Sequence, residues 1–113
     1  MAKTVVVVIQ EDPRKTHRPV EALRIALGLV AGSHRTTVIL LGESVRLLYE
    51  NVDDIVDVDI LEKYLPSIEQ LEIPFILQSK TDRASIRDDF HIQYSSDEDI
   101  RTLITSAERS LVF

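Results

Sequence analysis

Hydrophobic positions along this chain change their period several times, and each change marks an element. The run Val5-Val6-Val7-Val8-Ile9 is apolar at every position and has no polar face to turn to water. Such a strand must be covered on both faces, which predicts a central strand of a parallel sheet. Pro19 suits a first helical position, and Val20, Leu23, Leu27 and Val30 follow at helical spacing. Gly32 is expected to supply the left-handed residue that ends this helix. Thr36 to Leu41 reads as a second strand closed by Gly42, and Glu43 to Tyr49 as a short helix with Val45 and Leu48 inward.

The second half repeats the alternation. Asn51 to Asp57 is an acidic loop, and Leu61, Leu65, Ile68 and Leu71 form the next helical stripe. Pro66 interrupts it, either kinking the helix or starting its second half. Pro74 to Gln78 is a third strand. Lys80 to Asp89 is polar, with Asp82 placed to cap a short helix, and His91 to Tyr94 is a fourth strand. Ser95-Ser96-Asp97-Glu98 has the pattern of a capping box opening a helix with Ile100, Leu103, Ile104 and Ala107 inward. Ser110 to Phe113 closes as a fifth strand. Strands separated by helices predict one α/β domain spanning residues 1–113: a three-layer α/β/α sandwich with a five-stranded, mostly parallel sheet of the flavodoxin-like topology class.

Composition narrows the function classes. The chain has 113 residues, 44% of them hydrophobic and 28% charged, an ordinary globular balance. Its net charge of −6 opposes general nucleic-acid binding, which requires cations to displace counterions. No apolar run approaches the roughly 20 residues of a membrane span, and no signal-peptide pattern opens the chain, so the expectation is a cytoplasmic protein with no membrane partner. Cysteine is absent, which excludes disulfides, thiolate metal sites and a thiol nucleophile.

Candidate chemistry lies where open α/β sheets place it, at the carboxyl ends of the strands. The loop Gln10 to Arg18 has no glycine, so it is neither a Walker loop nor a dinucleotide fingerprint. Glu11-Asp12 resembles the acidic pair of a receiver domain, but Leu77-Gln78-Ser79 stands where a phosphoacceptor aspartate would be needed. His17, His34 and His91 share no metal-ligand spacing. Asp53, Asp54, Asp57 and Asp59 lack the glycine and terminal glutamate of a calcium loop, and read as a solvated loop leading into a helix N-terminus. No cofactor or metal is expected. Asp12, Arg14, His17, Gln78, Ser79 and Arg83 are the candidate ligand-binding residues, all expected at one sheet edge. Arg14 and Arg83, joined by Arg18 and Lys80, suit an anionic small molecule. An enzyme with His17 as general base, oriented by Asp12 or Glu11, is a further alternative.

Several segments resemble the DsrE/DsrF-like family of small sulfur-relay proteins. They are Glu21 to Ala26 after a loop containing Pro13, Val38 to Leu48, Ile68 to Leu77, and Ala107 to Phe113. The likeness spans nearly the whole chain and implies the same α/β fold. Family members that carry sulfur hold it as a persulfide on a cysteine ending the third strand. Leu77-Gln78-Ser79 occupies that region here, and a serine hydroxyl cannot form a persulfide. Arg83 matches a basic residue downstream of that cysteine. The family also contains cysteine-free subunits that build an oligomer around an active partner. The resemblance therefore implies a non-catalytic subunit, either in a homo-oligomer (trimer or hexamer) or in a hetero-oligomer with a cysteine-bearing sulfur-relay protein.

Overall fold

The computed structural model describes residues 3–113. Five strands, β1 (Thr4–Ile9), β2 (Arg35–Leu40), β3 (Phe75–Gln78), β4 (Ile92–Ser95) and β5 (Arg109–Val112), form one sheet in the order β4-β3-β2-β1-β5. Every pairing is parallel. Helices α1 (Arg18–Ala31) and α2 (Val58–Gln70), with the 3₁₀ helix Gly42–Leu48, cover one face; α3 (Asp97–Ser106) covers the other. The chain steps outward from β1 to β4, then returns across the sheet to β5. Right-handed crossovers require the returning helix to lie on the opposite face, which is where α3 sits. The sheet is doubly wound, as in flavodoxin-like folds, but its strand order, 4-3-2-1-5, differs from the flavodoxin order 2-1-3-4-5.

The position of β1 follows from its sequence. Val5 to Ile9 are each no more than 3% exposed. Val7 and Ile9 point into the larger core with Leu23, Ala26, Leu40, Leu61, Ile68 and Phe75. Val6 and Val8 point into the smaller one with Ile39, Ile76 and Ile100, under Leu103 and Ile104. At about 1.5–3 kcal/mol per fully buried aliphatic or aromatic side chain, these two clusters are the main source of stability. The acidic loop skims the larger core: Ile55 is buried, and the Val56 N–H donates to the Pro13 carbonyl at 2.8 Å.

Several local expectations change. Helix α1 does not end through a left-handed Gly32, whose φ is −82°; the next residue, Ser33, takes the left-handed turn at φ 68°. Helix α2 runs through Pro66 without a break. Pro66 lies on the exposed side of α2, where its ring does not have to fit the core, and it cannot donate to the Glu62 carbonyl. Leu71 leaves the buried stripe at 50% exposure, because α2 ends one residue earlier. Asp82 caps a turn rather than a helix, its Oδ1 accepting from the Ala84 N–H at 3.0 Å. Ser96 is the N-cap of α3, accepting from the Asp99 N–H at 3.1 Å. Among the described residues, no helix is long and apolar enough to cross a membrane.

Gly42 has φ +57° where β2 turns into the 3₁₀ helix, and this backbone needs glycine. Gly42→Ala is expected to lower unfolding stability by roughly 1–2 kcal/mol. Gly32→Ala, at an ordinary φ and with its new Cβ 3.4 Å from the His34 ring, is expected to be neutral or to stabilise by about 0.5 kcal/mol. Urea unfolding of both variants checks the contrast, and equal losses would contradict it.

Candidate functional site

The carboxyl edge is assembled from loops that the strands deliver side by side. Residues 10–17 leave β1, and the loop is pinned where Gln10 and Glu11 N–H groups both donate to the Phe113 carbonyl, at 2.8 and 3.4 Å. Arg14 folds back onto Asp12. Its Nε and Nη2 donate to the two carboxylate oxygens at 3.1 and 2.8 Å, and its backbone N–H donates to Oδ1 at 2.9 Å. Arg14 Nη2 also lies 3.7 Å from Glu43, whose carboxylate accepts from Arg46 Nε at 2.5 Å. Two arginines and two carboxylates thus alternate along the edge from the β1 loop to the 3₁₀ helix. Arg18 lies 3.5 Å from Glu11 and packs over the Phe113 ring.

A second set of contacts joins β2, β3 and α3. The Gln78 carboxamide oxygen accepts from the Gly42 N–H, and its nitrogen donates to Asp97, each at 3.0 Å. The Ser79 backbone N–H donates to the Ser95 carbonyl at 2.9 Å, extending the β3–β4 ladder by one bond. Arg83 stacks on Tyr94, its guanidinium carbon 3.8 Å from the ring centre. Ser44 is fully buried, and its hydroxyl hydrogen is shared between the Ile9 carbonyl at 2.7 Å and the Leu41 carbonyl at 2.8 Å.

The six candidate residues therefore fall into separate groups. Asp12 joins Arg14; Gln78 joins Gly42 and Asp97; Ser79 contributes backbone; Arg83 sits on Tyr94. His17 is the exposed N-cap of α1, where its carbonyl accepts from the Glu21 N–H at 3.0 Å. Among the described residues, no hydrogen bond joins its ring to Asp12 or Glu11, so the pair a general base would need is not formed. Two clefts, of about 490 and 450 Å³, are lined by none of the six. The smaller is a groove at the amino ends of β3 and β4, between Phe75, Phe90 and His91. Gly42, Ser44, Glu43, Arg46 and Asp97 were not among the expected residues. A Gly-x-Ser turn after β2 and an aspartate after an N-capping serine were the signals available.

No family model matches this chain, and no curated protein matches it. Its fold is similar to that of the ychN protein from E. coli in its crystal structure, with a TM-score of 0.76. The likeness covers 98% of this chain and 99% of that one at 15% sequence identity. It supports the three-layer α/β arrangement over the full length.

The Arg14 side chain, then its backbone N–H, holds the Asp12 carboxyl at about 2, below its ordinary value of 3.8. With the folded value depressed, the pair contributes stability above the unfolded carboxyl range near pH ~3.9 and loses it as pH falls toward 2. An NMR titration is expected to find Asp12 at about 2 in the native protein and raised part of the way toward 3.8 in Arg14→Ala, which removes the guanidinium and keeps the backbone N–H. An unchanged Asp12 in that variant would remove Arg14 as the cause.

Proposed function

We propose that this chain is a non-catalytic, cysteine-free subunit of the DsrE/DsrF-like type, serving intracellular sulfur transfer or a related assembly through contacts with other subunits. The observation that carries this reading is the end of β3. There Gln78 ties Gly42 to Asp97 with both halves of its carboxamide, so a structural bridge occupies the position that the family resemblance assigns to the sulfur-carrying cysteine. No other residue of the sequence can take over that chemistry, since a persulfide forms only on sulfur and the chain has no cysteine. The fold shared with the ychN protein and the segment resemblances across the chain support the same reading.

Strand β5 supports a role in assembly. All four of its residues are exposed, with Leu111 at 37% and Val112 at 52%, on a parallel edge whose outer backbone groups have no strand beside them among the described residues. An apolar edge strand is a template for pairing and is normally blunted or covered. The anionic-ligand reading has less support, because two of its four cations, Arg14 and Arg18, already lie against a carboxylate, and a third, Arg83, is stacked on Tyr94. Binding an anion there would require separating those pairs first.

Light scattering after gel filtration tests the proposal. The expected mass is a trimer or hexamer of the 12.8 kDa chain, or a stable complex once a cysteine-bearing DsrE/DsrF-like protein is added. A 12.8 kDa species that stays monomeric both alone and in the mixture would overturn it.

A further inference from the structure

The backbone of β5 is hydrogen-bonded on one side only. Phe113 N–H donates to the Val8 carbonyl, and the Phe113 carbonyl accepts from Gln10 N–H, both at 2.8 Å. Both main-chain groups of Phe113 thus face β1. Their direction alternates along a strand, so those of Leu111 and Arg109 also face β1, while those of Ser110 and Val112 face outward. Among the described residues, none of these four outward groups enters a hydrogen bond. The side chains flank the open edge on both faces of the sheet. Leu111 pairs with Val7 and shares its side, over the larger core; Val112 pairs with Val8 and shares its side, over the smaller one. Both are exposed. On the opposite edge, β4, Ile92 and Tyr94 are half-buried and Arg83 lies across the Tyr94 ring, a charge that blunts that edge.

The open groups lie symmetrically, one residue to either side of Leu111. A two-fold axis through Leu111, perpendicular to the sheet, sets Ser110 of one copy opposite Val112 of another, and Val112 opposite Ser110. Each such pair exchanges two N–H to C=O bonds, so every open group on both strands is satisfied. Leu111 then meets its own counterpart on the axis. A different chain would have to supply this spacing, whereas a second copy carries it already. The charges also match. The segment Glu108 to Phe113 holds one acidic and one basic side chain, so the seam is neutral although each copy carries −6. The same register puts Arg109 opposite Phe113 of the second copy, on the face where Arg18 packs over that ring. Glu11 lies at that end of the seam, its N–H donating to the Phe113 carbonyl, and among the described residues its carboxylate has only Arg18, at 3.5 Å, as a cation.

We propose that two copies of this chain pair β5 to β5 in antiparallel register about Leu111, joining two five-stranded sheets into one continuous sheet. The inference rests on the reading of β5 as an assembly surface and fixes both its occupant and its geometry. An isologous contact of this kind closes on itself. It therefore requires an even number of copies, a dimer or a hexamer made of two trimers, and excludes an isolated trimer.

The lack of cysteine lets single cysteines report the register in the full chain, in whichever assembly it forms. The two Leu111 Cα atoms would lie about 4.5 Å apart, within disulfide reach, whereas the two Arg109 positions would be offset by about 13 Å along the strands. On mild oxidation Leu111→Cys is expected to give a disulfide-linked dimer roughly 10-fold faster than Arg109→Cys, Val112→Cys or Glu98→Cys on α3. Ser110→Pro removes an outward N–H and leaves the ladder to β1 intact, a place where edge strands accept proline. It is expected to halve the mass seen by light scattering, with thermal unfolding verifying that the fold is kept. Leu111→Cys linking no faster than the other three variants would overturn the pairing, as would an isolated native trimer or an undiminished mass for folded Ser110→Pro. In each of those cases the assembly role itself would stand. A chain that stays monomeric both alone and with a cysteine-bearing partner would overturn both.

Discussion

The structure depends first on a strand that water cannot be allowed to reach from either side. β1 is apolar at five successive positions, and a two-sided apolar strand is stable only with a layer packed on each face and a strand along each edge. That requirement accounts for β2 on one side and β5 on the other, α1 and α2 above, and α3 below. It also explains why the chain must cross back over the sheet after β4. Only a return connection can put a helix on the second face and a strand on the second edge of β1.

The same geometry shapes the carboxyl edge. Parallel strands deliver the loops after β1, β2, β3 and β4 to one rim, where charged residues far apart in sequence are crowded together. Here the crowding is resolved internally. Arg14 and Arg46 share Glu43 between them, Asp12 is held by Arg14, and Gln78 links two neighbouring elements. Such contacts among exposed side chains contribute little stability individually. They pair Asp12, Arg14, Glu43 and Arg46 with one another and tie Gln78 to Gly42 and Asp97.

Much of the fold was legible because its signals are local and strong. The valine run, the proline opening α1 and the serine capping α3 act through backbone sterics and hydrogen bonds within a few residues. Element ends were less legible, since they are decided by which residue the core accepts. Ser33 rather than Gly32 takes the left-handed turn, and Leu71 falls outside α2 although its spacing continues the stripe. The candidate site was legible only as a location. Asp12, Arg14 and Gln78 do lie at the carboxyl rim, but a sequence does not say that Asp12 would be occupied by Arg14, or that Gln78 would reach Gly42 and Asp97.

What the sequence determined by itself is the kind of molecule and one limit on its chemistry. Alternating two-sided strands and amphipathic helices specify a layered α/β domain, and the lack of cysteine removes thiol chemistry whatever the fold. Tertiary structure alone decided the partners. Asp97 meets Gln78 across 19 positions and Ser44 meets Ile9 across 35. Glu50, Glu62 and Asp88 share a cleft although no motif connects them. The physical reason is that secondary structure is set by interactions over three or four residues. Which side chains face one another across a rim or a cleft depends on strand order and on how helices pack, and these emerge only when the whole core closes.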